Sequence, residues 1–142
     1  MAHEMSREEV AAFLSHGTRT GKLATTMRDG SPHVMPVWFI LEGEEIVFNT
    51  GSGTVKGRNL RRDPRVSIAV DEQAPPYSFV HVRGRAALSE DPDELLRTAT
   101  LLGARYMGAE RAEEFGRRNA APGELLVRVR PERVIAFADL TD

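Results

Sequence analysis

The sequence predicts a mainly β domain of the α+β class: a small antiparallel β-barrel of six strands with helices outside it. Three observations carry this reading. Six stretches show strand-like alternation or β-branched runs. The first three are joined by connections too short for a crossover helix, so they must pair antiparallel. Helical periodicity is confined to the N-terminus, one short basic segment and a late block near 91–119.

Ser6 followed by Glu9 is a capping-box pattern, with Val10, Phe13 and Leu14 forming an apolar face, so residues 6–16 read as a helix. GKLATTM (21–27) reads as the first strand, and Arg28-Asp29-Gly30-Ser31 is a turn with an Asp-Gly hairpin signal. HVMPVWFIL (33–41) is read as one continuous second strand. Glu42–Glu45 turns the chain, and IVFNT (46–50) is the third strand. Thr54 is a good N-cap for a short helix, VKGRNLRR, which Pro64 must stop. RVSIAV (65–70) and FVHVRGRAAL (79–88) are strands. Asp91 or Asp93 caps a helix with Leu95, Ala99, Leu102 and Tyr106 on one face, and a second helix lies near 110–119. ELLVRVRPERVIAFADL (124–140) closes the chain as a long strand interrupted at Pro131.

Composition narrows the function. The 142 residues suit one domain, 1–142, with ordinary hydrophobic (41%) and charged (28%) content. No apolar run approaches the ~20 residues of a membrane span, and no secretory signal pattern opens the chain, so a cytoplasmic protein is expected. With no cysteine, disulfides, thiolate metal sites and cysteine nucleophiles are excluded together. The net charge of −2 and 6% aromatic content argue against a nucleic-acid partner. His3, His16, His33 and His81 are scattered without metal-ligand spacing, so no metal is expected. No catalytic dyad stands out.

Positive charge is instead local. GSGTVKGRNLRRDPRV (51–66) holds three glycines, then Lys56 and four arginines against one acid, Asp63. The spacing Gly51-x-Gly53-x-x-x-Gly57 fits neither a dinucleotide fingerprint nor a P-loop. The physics of an anion seat survives that mismatch. A strand ends, small residues let a ligand approach, and a helix begins whose first N–H groups are unpaired. Lys56 lies in that first turn. Arg58, Arg61 and Arg62 share a face, where a bound anion would relieve their mutual repulsion. A solvated helix face, served by Asp63 and water, is the other reading of the same residues. Pro36 lies mid-strand before Val37 and Trp38 and cannot donate to a ladder, which marks an edge or bulge and leaves backbone groups free to meet a planar heterocycle.

LATTMRDGSPHVMPVWF, VFNTGSGTVKGRNLRRDPRVSIAVD and PPYSFVHVRGRA together resemble the pyridoxamine 5'-phosphate oxidase-like (PPOX) split-barrel superfamily, and within it the branch of F420-dependent oxidoreductases. The similarity runs from about Gly21 to Asp139. It implies a six-stranded flavin-binding split barrel and a homodimer with a cofactor groove at each end of its interface. It implies a phosphate seat where Thr50, Ser52, Thr54, Lys56 and Arg58 lie here, with Gly53 and Asn59 in the same segment. The ring system is expected against Met35, Pro36, Val37 and Trp38, and the partner subunit is expected to close the groove with Tyr77 and Phe79. The implied activity is hydride transfer from reduced coenzyme F420, a deazaflavin, to an unsaturated small organic substrate. FMN-dependent chemistry on the same fold, or non-catalytic cofactor binding, are the alternatives. The residues that recognise pyridoxamine phosphate are not recognisable, so the oxidase activity itself is not implied.

Overall fold

The computed structural model describes all 142 residues. In chain order the elements are β1 (His3–Glu4), α1 (Arg7–Ser15), β2 (Gly21–Thr26), β3 (Pro32–Val37), β4 (Ile40–Glu42), β5 (Glu45–Gly51), α2 (Val55–Arg62), β6 (Arg65–Asp71), β7 (Phe79–Ser89), α3 (Pro92–Met107), a 3-10 turn (Ala109–Arg111), α4 (Ala112–Asn119) and β8 (Glu124–Ala138). All pairings are antiparallel, in the order β3-β2-β6-β7-β8-β5-β4, with β1 added to the end of β8.

The strand count differs from the expectation. The sheet has eight strands rather than six, because β1 is a two-residue strand and the run 33–41 is broken. As in a split barrel, it is not closed by hydrogen bonds. β3 and β4 are the two edges of the sheet, yet only Trp38 and Phe39 separate them in the chain. The sheet must therefore curl until its edges meet, and the link Trp38–Phe39 crosses the split. The predicted interruption at Pro131 is a bulge: Gly84 pairs with Pro131 and Arg83 with Arg133, skipping a residue. A side chain at Gly84 would collide with the Arg130 carbonyl, so only glycine fits there.

The inward row of the curled sheet forms the core, with Leu23, Phe39, Phe48, Ile68, Val80 and Val127 fully buried. The outer surface divides in two. Over β5 and the first half of β8, α3 packs Leu95 on Val47 and Leu126. No helix covers the outer face of β3, β6 and the second half of β8. There Val34 (59%) and Phe137 (37%) remain exposed beside exposed Ala69.

The α1 capping box forms as the sequence predicts, with Ser6 Oγ accepting from the Glu9 N–H at 3.1 Å and Glu9 accepting from the Ser6 N–H at 3.0 Å. Asp91 caps α3 by position, but its side chain makes no cap hydrogen bond.

Candidate functional site

The site is built where β5 gives way to α2. Thr54 caps the helix: its Oγ1 accepts from the Gly57 N–H at 3.1 Å and donates to the Gly51 carbonyl at 2.7 Å. A Cβ at Gly57 would strike that same carbonyl, so α2 sits this close to β5 only because residue 57 is glycine. Helix geometry leaves the Val55 and Lys56 amides without intrahelical acceptors. The loop is braced by Ser52 N–H on the Gly123 carbonyl (2.8 Å) and by Arg58 on the Gly53 carbonyl (2.7 Å).

Beside this seat lies a cleft of about 340 Å³, lined by Pro36, Val37 and Trp38, by Asn49, Thr50 and Gly51, and by Lys56, Leu102, Asn119 and Glu124. The structure thus brings both halves of the expected site to one opening, with Pro36–Trp38 on one wall and Thr50 and Lys56 on another. Lys56 has no carboxylate within ion-pair distance. Ser52, Gly53, Thr54 and Arg58 stand around the seat without lining the cleft, and Met35 lies one residue outside it.

Several residues behave differently from the sequence reading. Asn59 is 3% exposed, and its side chain is engaged inside the protein: it donates to Thr25 Oγ1 at 3.0 Å and accepts from Arg62 at 2.8 Å. It braces α2 against β2. Arg62 also reaches the Thr26 carbonyl at 2.8 Å, and Arg61 pairs with Glu90 at 3.3 Å. The three arginines of α2 are therefore not a free triad. The interrupted ladder is likewise answered by protein. The Phe39 N–H donates to Tyr106 Oη at 3.1 Å, and Arg105 donates to the Phe39 carbonyl at 2.6 Å. Trp38 stacks on Tyr106, ring centroids 5.0 Å apart and 2° from parallel, which fixes the indole as a rigid wall. Burial raises the Tyr106 phenol above its ordinary value and lowers the Arg105 guanidinium below its own.

Tyr77 and Phe79 do not line the cleft. β6 follows α2 from Arg65 to Asp71, the partner of Phe79, six residues later and about 20 Å along the strand. Phe79 packs on Phe137.

Sequence reasoning missed Glu124, Asn119, Asn49 and Leu102. Glu124 faces Gly51 across the β5–β8 ladder, and nothing in the composition around it signals this; only the strand register does. Its Oε2 is buried without a hydrogen-bond partner. Burial raises its carboxyl above the ordinary value, against the opposing pull of Lys56.

The family model for pyridoxamine 5'-phosphate oxidase matches residues 6–138. The chain belongs to this family. A biliverdin reductase of Mycobacterium tuberculosis (strain CDC 1551 / Oshkosh) that depends on reduced F420 is 32% identical over 138 residues, covering 95% of this chain and 90% of that one. Among solved structures, a conserved hypothetical protein of Mycobacterium tuberculosis is 30% identical with a TM-score of 0.84, over 96% of this chain and 87% of that one. An F420 reductase is 27% identical with a TM-score of 0.68, over 90% and 95%. The split-barrel fold and the resemblance to the F420-dependent branch stand.

Proposed function

We propose that the protein is an F420-dependent oxidoreductase that reduces an unsaturated small organic molecule. The observation that supports this best is the single cleft uniting the Pro36–Trp38 wall with Lys56 and the start of α2. The 32% identity to an F420-dependent biliverdin reductase over 95% of the chain favours the deazaflavin.

The residues fit such a group. Lys56 brings a positive charge that no ion pair occupies, the Val55 and Lys56 amides bring donors, and Thr50 and Gly51 keep the floor small. Bound there, the reduced deazaflavin supplies a hydride. The chain's own part is to hold the phosphate at Lys56 and to present a flat wall at Trp38. Tyr106 and Arg105 keep that wall from moving. No side chain of the cleft is assigned as an acid, and water or a backbone N–H is sufficient to polarise an acceptor.

The working unit in this reading is a homodimer. The uncovered outer face around Val34, Ala69 and Phe137 is the surface a second copy would bury. Tyr77 and Phe79, which do not line the cleft of their own chain, are then available to close the cleft of the other. No helix is long and apolar enough to cross a membrane.

The test is titration of the purified protein with F420 and with FMN, followed by oxidation of reduced F420 in the presence of candidate acceptors such as bilins. Saturable F420 binding tighter than FMN binding is expected. FMN binding more tightly than F420 would overturn the assignment.

A further inference from the structure

Glu124 is out of place in a cleft meant for an anion. It opens β8 directly opposite Gly51, and its Oε2 lies 3.9 Å from where a Cβ on Gly51 would be, so the carboxyl lies beside the floor of the cleft. That oxygen is buried and no donor reaches it. The elements around the carboxyl carry almost no charge. β5 offers Asn49, Thr50 and Gly51, α4 offers Asn119, α3 offers Leu102, and the β3–β4 link offers Pro36, Val37 and Trp38; all are neutral. The turn before β8 is Ala121, Pro122 and Gly123, also neutral. Lys56 is the one charged group facing the carboxyl.

We propose that Glu124 makes anion binding in this cleft proton-linked: the anionic end of the ligand enters together with one proton from solvent, taken up on the Glu124 carboxylate. The inference rests on the cofactor reading above for the identity of the ligand, and on the cleft alone for the mechanism.

The physical reason is charge balance in a half-buried space. Without ligand, a carboxylate at Glu124 and the ammonium of Lys56 compensate each other across the cleft. An anion that pairs with Lys56 takes away that compensation and adds a like charge beside the carboxylate. Protonation removes the repulsion and converts Oε2 from an acceptor without a donor into part of a group that donates to the incoming anion. Burial already favours the neutral carboxyl, so a small further push suffices. Anion affinity therefore falls as pH rises through the range in which Glu124 ionises. By linkage it falls about ten-fold for each pK unit by which the anion raises the carboxyl.

The experiment compares wild type with Glu124→Gln, which keeps the shape and fixes the neutral state. Trp38 is the sole tryptophan and lines the cleft, so its fluorescence reports occupancy. Both proteins are titrated with F420 and with inorganic pyrophosphate from about pH 5 to about pH 8. The ligand's own titration is common to the two proteins, so the difference between their profiles belongs to Glu124. Wild-type affinity is expected to drop about ten-fold relative to Glu124→Gln across this range. Calorimetry in buffers of different ionisation enthalpy should show proton uptake in wild type that the variant lacks. Parallel profiles with equal proton uptake would overturn the proposal while leaving the cofactor reading intact. Pyrophosphate binding with the expected divergence, but no F420 binding, would support the proposal and overturn the cofactor reading. No quenching of Trp38 by either probe would overturn both. A melting series is a check independent of ligand. A carboxyl raised by folding contributes most at acid pH and loses its contribution as pH rises, so Glu124→Gln should gain thermal stability over wild type towards about pH 8.

Discussion

Arg105 on α3 bonds to Phe39 and Lys56 on α2 shares the cleft with Trp38, and their surroundings differ in kind. Arg105 donates to the carbonyls of Leu14 (2.7 Å), Gly17 (2.9 Å) and Phe39 (2.6 Å), and its guanidinium lies over the Phe39 and Tyr106 rings. Its donors are satisfied by backbone from α1 and from the strand link. Lys56 faces a cleft with a buried carboxyl and no ion-pair partner. A cation whose donors all end on carbonyls holds the fold, whereas a cation left facing an opening is free for a ligand. The difference lies in what each charge can reach, which residue type alone does not reveal.

The comparison breaks most directly at Arg105. Arg105→Ala removes a donor from the carbonyls of Leu14, His16, Gly17 and Phe39 and removes the clamp on the β3–β4 link. A loss of about 2–4 kcal/mol is expected, lowering Tm by about 10 °C. Calorimetric melting checks it, and F420 affinity measured well below that Tm should be close to wild type. Lys56→Ala should do the reverse. Affinity falls about ten- to a hundred-fold, the worth of one charge-assisted hydrogen bond, while Tm moves by no more than about 2 °C. Titration and melting of the same sample separate the two effects.

Tyr106→Phe sharpens the α3 side. The ring stays stacked on Trp38, but the Phe39 N–H loses its acceptor and the Arg19 carbonyl its donor at 2.8 Å. A loss of about 1–2 kcal/mol in urea unfolding is expected, with affinity unchanged. The smallest effect is at Asp63, the residue that ends α2. Two hydrogen bonds from the Arg65 side chain, then one from its N–H, hold the Asp63 carboxyl at about 2. Its folded value is depressed, so its contribution is present above the ordinary value of 3.8 and lost as pH falls from there towards about 2. Asp63→Asn should lower the neutral plateau slightly, leave stability below about pH 2 unchanged, and so make the acid limb of a stability-against-pH curve shallower.

Much of this was legible in the sequence, and what was not has physical causes. The α1 capping box, the Thr54 cap, the helix VKGRNLRR and the break at Pro131 are local events, and local residue chemistry reveals them. The strand 33–41 was misread as continuous because periodicity describes one strand's faces and not its partners. Its first half pairs with β2, its second with β5, and the chain changes edges at Trp38–Phe39. β1 is too short for any period to register. Asn59 and Arg62 share a basic helix with Lys56, yet they point into a network with Thr25 and Thr26 that only the packing of α2 on β2 creates. Glu124 is more than sixty residues beyond Lys56 and meets the cleft through the β5–β8 register alone.

The most direct test is a calorimetric titration of wild type and Lys56→Ala with F420 and FMN under the same salt and pH. The account predicts one F420 per chain, bound more tightly than FMN, with affinity for both falling about ten- to a hundred-fold in Lys56→Ala at unchanged Tm. Undiminished F420 affinity in a correctly folded Lys56→Ala protein, or no F420 binding by wild type, would contradict it.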